Sequence, residues 1–138
     1  MKNVTPFPDP ALAASSDVVV LSCPHQMHFD HTPLLRLFSE KSEPEAEEIV
    51  CRMLEDIAFQ LDLMQKAIAA HTFADVRRPA KRIELVADQI GLMEVAIAAS
   101  HVGTSVKQGD GVAMEATMAR LERGFDLAVS EIWSFRQL

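Results

Sequence analysis

The chain has 138 residues, of which 49% are hydrophobic and 24% charged, a composition typical of one soluble globular domain. A net charge of −7 disfavours nucleic acid and anionic membranes as partners, because both bind basic surfaces. The two cysteines, Cys23 and Cys51, do not indicate a disulfide framework, and no apolar run reaches the roughly 18 residues of a membrane span. We therefore expect a cytoplasmic protein.

Residues 1–28 are predicted to form an extended N-terminal arm. Three prolines fall within its first ten residues, and Asp9 and Asp17 interrupt any continuous apolar core of a secretory signal. The apolar run Val18–Leu21 is too short to be stable as a lone strand, so we expect it to pack against the domain or a second subunit.

The end of the arm gathers side chains that bind metals in other proteins. Cys23, His25, His28 and His31 fall within nine residues. Thiolate and imidazole are the usual zinc ligands, but this spacing matches no standard structural zinc pattern. We expect no metal and no cofactor, and a metal-binding protein that uses these four residues stays as a minor alternative.

Residues 29–138 show helical periodicity throughout. Thr32 is the expected N-cap of a short apolar helix, with Pro33 in its first position. Ser42 and Glu45 have the spacing of a capping box, as do Thr72 and Asp75. The apolar stripes predict four longer helices, over residues of about 45–70, 73–90, 92–107 and 112–135.

Several features predict where these helices end and what they bury. Gly91 should end a helix in the left-handed conformation, and Asp110 should cap the last helix after the loop 108–111. Pro79 should kink its helix or mark a restart. The expected core includes Val76, Ile83, Ile90, Leu121 and Phe125. Amphipathic helices of this length predict an all-α fold, an antiparallel four-helix bundle with a short capping helix at its N-terminus.

The segment Pro79–Leu92 resembles the centre of a histidine phosphotransfer (HPt) domain. That family shows an Ala-His pair, two residues, a Lys-Gly pair and a helical stretch that closes on Ile/Leu-Gly. Here Lys81 stands at the histidine position, Glu84 at the lysine position and Leu85 at the glycine position, while the closing pair is Ile90-Gly91. The resemblance extends over residues of about 29–136 and implies the same four-helix fold.

These three differences imply that phosphoryl transfer is lost. A lysine amine, with a pKa of about 10.4 in model peptides, is protonated at neutral pH and has no lone pair for nucleophilic attack. A carboxylate at position 84 would repel a phosphoryl group that the family's lysine stabilises, and Leu85 fills the space of a glycine. The chain is therefore expected to be a pseudo-HPt domain with no catalytic residue, not an enzyme.

The resemblance also implies a binding face. Arg77, Arg78, Lys81, Arg82, Glu84 and Leu85 are the candidate binding residues. The expected partner is the receiver domain of a response regulator, whose active site is an acidic pocket, or a histidine kinase. Protonated Lys81 could pair with that pocket in place of its metal ion, with Leu85 beside it as an apolar anchor. The plainer interpretation is a solvated basic face with no partner.

Two further histidines, His71 and His101, lie outside the motif. His71 lies ten residues before Lys81, in a predicted helix connection, and is a minor alternative phosphoacceptor. His101 is expected late in the following helix, with a structural role. The main alternative to a signalling function is a structural or assembly protein, a homodimer that shares only the bundle fold.

Overall fold

The computed structural model describes residues 29–136, with side chains as far as Ser134. The described chain is all-helical, with five α-helices, one 3-10 helix and no strand. The helices are α1 Thr32–Glu40, α2 Glu43–Ala69, the 3-10 helix Phe73–Val76, α3 Arg77–Gln89, α4 Met93–Gln108 and α5 Gly111–Arg136. The predicted arm, residues 1–28, lies outside the described residues. None of the described helices is both long and apolar enough to cross a membrane.

The start of α2 follows the predicted capping box. Ser42 Oγ accepts a hydrogen bond from the backbone N–H of Glu45 at 3.4 Å, and Glu45 Oε1 accepts one from the N–H of Ser42 at 3.3 Å. The start of α1 differs from the prediction. Thr32 is the first helical residue, and its N–H donates to Asp30 Oδ1 at 3.0 Å, so Asp30 satisfies the helix end. This backbone hydrogen bond lowers the pKa of Asp30.

The helix predicted over residues 73–90 is confirmed only in part, because its first turn is a 3-10 helix. Thr72 caps nothing with its side chain, because its Oγ1 donates to the carbonyl of Ala67 at 3.2 Å. A 3-10 turn follows, and α3 restarts at Arg77. Pro79 is therefore the third residue of α3, where an N–H would have no intrahelical acceptor. The predicted restart near Pro79 is confirmed.

The turns after α2, α3 and α4 share one hydrogen-bond pattern. After α3, the N–H of Leu92 donates to the carbonyl of Ala87 at 2.9 Å, while Gly91 takes φ +81°. Gly109 and His71 occupy the same left-handed position after α4 and α2, with φ +69° and +60°. The predicted helix end at Gly91 is confirmed, and Asp110 Oδ1 caps α5 by accepting the N–H of Ala113 at 3.0 Å.

Gly91 also fixes the start of the described chain. The N–H of Asp30 donates to the carbonyl of Gly91 at 2.9 Å, so the segment before α1 crosses the turn between α3 and α4. A Cβ on residue 91 would lie 1.9 Å from the carbonyl oxygen of Asp30, far too close for two heavy atoms that are not bonded to each other. Only glycine permits this crossing.

The helices pack in chain order. α2 packs on α3, α3 on α4 and α4 on α5, while α1 contacts α2 and the 3-10 helix touches α2, α3 and α4. Gln65 on α2 donates to Glu122 on α5 at 2.6 Å. Of the five expected core residues, Val76, Ile83, Ile90 and Leu121 are buried. Phe125 is only partly buried, although its ring packs against the core.

Candidate functional site

The candidate face lies on the outer side of α3. This helix buries Ala80, Ile83 and Ala87 on one side, so Lys81 and Leu85 lie on the other side and point to solvent. The side chain of Lys81 is 81% exposed, and Leu85, one turn further on, is 53% exposed. The expected exposure of both residues is confirmed.

A shallow groove of about 830 Å³ runs between α3 and α4 along this face. Five of the six predicted binding residues line it, namely Arg78, Lys81, Arg82, Glu84 and Leu85, whereas Arg77 is exposed but does not. Whether any of the six binds a partner stays a prediction.

The opposite wall of the groove was not predicted. Met93, Ile97 and His101 of α4 line it, and Ile97 is 50% exposed. A signal for them existed in the sequence. The buried stripe of α4 includes Val95, Ala99 and Val102, so Met93 and Ile97 are large apolar residues on the face opposite that stripe.

Arg82 is the one basic residue of the groove that is held in an inter-helix ion pair. Its Nε and Nη2 donate to Asp56 Oδ2 on α2 at 2.9 and 2.7 Å, and Gln60 donates to Asp56 Oδ1 at 3.1 Å. Partial burial raises the pKa of the Asp56 carboxyl, but these hydrogen bonds and the guanidinium charge outweigh it, so the pKa lies below its ordinary value. Arg82 thus ties α3 to α2.

Lys81 keeps its ammonium accessible. Its Nζ lies 3.8 Å from Glu84 Oε1, one turn along α3. Exposed pairs of this kind are weak and screened by salt. Arg78 and Lys81 are therefore the cations of the groove that a partner can most readily engage.

The two histidines outside the motif occupy different settings. His71 follows the C-terminal end of α2, and its Nδ1 lies 3.2 Å from the carbonyl oxygen of Ile68. Its ring stacks on that of Phe73, with 5.6 Å between the ring centres. His101 was expected late in its helix, which was wrong: it lies midway along α4, exposed and in the same groove as Lys81. Its Nδ1 is 3.5 Å from Arg120 Nη1 on α5.

Of the four residues of the alternative metal site, the structure describes only His31. Cys23, His25 and His28 lie outside the described residues, and His31 precedes α1, its ring stacked on Phe29 at 4.5 Å. Among residues 29–136, no three histidine, cysteine or acidic side chains are placed to hold a metal ion.

The chain matches no protein-family model, no curated protein and no solved structure.

Proposed function

We propose that this protein is an HPt-like signalling domain that binds a receiver domain or a histidine kinase without accepting a phosphoryl group. The observation that carries the proposal is the exposure of Lys81 and Leu85 side by side in one groove. The proposed partner surface is the acidic pocket of a receiver, which Lys81 and Arg78 complement in charge.

The proposal includes the arrangement of the helices. The four longer helices form an antiparallel bundle, with α1 capping one end. Two observations support it: each of these helices packs on the next, and the hydrogen bond from Gln65 to Glu122 brings the first of them against the last.

The absence of transfer rests on the groove's chemistry. At the position of the family's nucleophile, the groove presents the amine of Lys81, and Glu84 stands where the family has a lysine. A carboxylate 3.8 Å from that amine disfavours an incoming phosphoryl group by charge repulsion.

Incubation with a phosphorylated cognate receiver tests the proposal. The wild-type protein should bind the receiver and stay unlabelled. Lys81→Glu should weaken binding at least about tenfold, because it places a carboxylate against an acidic pocket. Lys66→Glu is the matched control, since Lys66 is an exposed lysine on α2 that pairs with Asp62 one turn away.

Labelling of the wild-type protein would contradict the proposal. His101→Ala and His71→Ala identify the acceptor in that case. His101 shares the groove with Lys81, so loss of label in His101→Ala would show that the active histidine lies on α4. If the protein stays unlabelled and its receiver affinity is the same in wild type and Lys81→Glu, then Lys81 is not part of the interface.

A second candidate function, self-assembly, is favoured by a separate observation. Leu85, Met93, Ile97 and Leu127 are all large apolar residues left exposed on one side of the molecule.

A further inference from the structure

Four exposed apolar residues of α3, α4 and α5 form one continuous strip. Leu85, Met93 and Ile97 line the groove between α3 and α4, and Ile97 also lines a second groove, between α4 and α5, together with Leu127. Each of the four is between 44% and 53% exposed. We call the surface that holds these two grooves the apolar face.

Charge is distributed unevenly along the apolar face. On α3, Lys81, Leu85 and Asp88 follow one another at one-turn spacing, so a cation, an apolar residue and an anion lie along about 10 Å of helix. We call the region around Lys81 the basic end and the region around Asp88, near the turn to α4, the acidic end.

The same polarity holds on α5. Arg120 lies beside His101, which shares the basic end with Lys81. Arg123, Asp126 and Leu127 line the second groove together with Glu94, which lies in the first turn of α4 and thus at the acidic end. On both α3 and α5 the anion therefore lies at the same end of the apolar face, with Leu85 and Ile97 between the two ends and Arg123 between Arg120 and Asp126 on α5.

We propose that the apolar face binds the same face of a second copy of this chain. A two-fold axis near Leu85 and Ile97 places these apolar side chains against their own symmetry mates. It also brings the basic end of each copy against the acidic end of the other, so that Lys81 meets Asp88 of the partner subunit. Arg120 meets Asp126 of the partner subunit in the same way.

The charge pattern selects a second copy over other occupants. An acidic helix or an acidic pocket complements only the basic end and leaves Asp88 and Asp126 against like charges. A second copy satisfies both ends at once. This inference rests on the second candidate function, self-assembly, and does not require receiver binding, although both use Lys81 and the two partners compete for it.

Sedimentation velocity of the full chain over a concentration series tests the proposal. The wild type should dimerise reversibly. Lys81→Glu and Asp88→Lys should each raise the dissociation constant at least about tenfold, because each creates two like-charge contacts across the axis. An equimolar mixture of the two variants should dimerise again, since both contacts between positions 81 and 88 are attractive in the mixed dimer.

Control variants separate this face from the rest of the surface. Ile97→Asp should abolish the dimer, whereas Phe59→Asp should leave it intact, because Phe59 is 58% exposed but lies on α2. Lys66→Glu should also leave it intact. Asp88→Lys distinguishes the two proposals, because it removes dimerisation yet adds a cation to the groove that receives an acidic partner.

Three outcomes would overturn the proposal. The first is a wild type that stays monomeric up to about 1 mM. The second is an equimolar mixture of Lys81→Glu and Asp88→Lys that stays monomeric although each variant is folded and helical. The third is a dimer that is unchanged by Ile97→Asp but lost in Phe59→Asp, which would place the interface on α2.

Discussion

The Arg82–Asp56 pair gives the molecule a pH-dependent link between α2 and α3. The pKa of Asp56 is lowered in the folded protein, so its stabilisation is present above the unfolded value of about 3.9 and is lost as pH falls through the folded value. Asp56→Asn should therefore cost about 1 kcal/mol at pH 7, a modest figure because the Arg82 side chain is half exposed.

Denaturant unfolding of wild type and Asp56→Asn at several pH values measures how much Asp56 contributes to stability. The gap between the two free energies of unfolding should narrow as pH falls below about 4. Asp62→Asn serves as the control, since it removes an exposed pair with Lys66 on one helix and should change stability by less than about 0.5 kcal/mol. A gap independent of pH would show that the charge of Asp56 does not stabilise the fold.

His71 is the one non-glycine residue with positive φ among the described residues. A side chain in the left-handed conformation costs roughly 1 kcal/mol, and glycine avoids that cost. His71→Gly should therefore raise the free energy of unfolding by about 0.5–1 kcal/mol, even though it removes the stacking on Phe73. Thermal or denaturant unfolding measures the change. A lower stability would mean that the ring contacts outweigh the backbone strain.

At the scale of whole elements, the turn between α3 and α4 is the most sensitive to substitution. The alanine in Gly91→Ala must take a left-handed conformation. It must also displace the carbonyl oxygen of Asp30, which would otherwise lie 1.9 Å from the new Cβ. Gly109→Ala meets the same conformational cost with no atom within 4 Å of the added Cβ. We expect a loss of about 1 kcal/mol for Gly109→Ala and at least about 2 kcal/mol for Gly91→Ala.

The difference between these two variants isolates the crossing of the chain at Asp30. Denaturant unfolding gives both values under the same conditions. Equal losses would mean that the segment before α1 shifts away from Gly91 at no cost, and that its hydrogen bond to Gly91 is not needed for the fold.

The sequence predicted elements better than it predicted their ends. Apolar periodicity located every long helix, and the Ser42 and Asp110 caps were read correctly because each acts on a backbone group within three residues. The Thr72 cap was predicted wrongly because threonine is a common capping residue, yet here its hydroxyl donates backward to the carbonyl of Ala67. The residue type alone does not show whether a threonine hydroxyl bonds forward, as a helix cap, or backward to the preceding helix.

At the scale of the whole molecule, the candidate site was predicted only on the helix that carries the motif. Lys81 and Leu85 were placed correctly, since helical periodicity alone determines which face they share. The wall formed by Ile97 and His101 depends on how α4 packs against α3, which no local pattern reports. Likewise, Arg82 looked like a free surface cation because its partner Asp56 lies 26 residues away.

The packing of each helix on its neighbour in the chain bears on how fast the protein reaches this structure. Most inter-helix contacts join segments that follow one another, so little loop entropy is lost before each contact forms. The hydrogen bond from Gln65 to Glu122, by contrast, closes a span of 57 residues. Helical domains dominated by local contacts fold in microseconds to milliseconds. The search for the native state is thus short, and the two steps that require long loops to close are the approach of α5 to α2 and the crossing of Asp30 over Gly91.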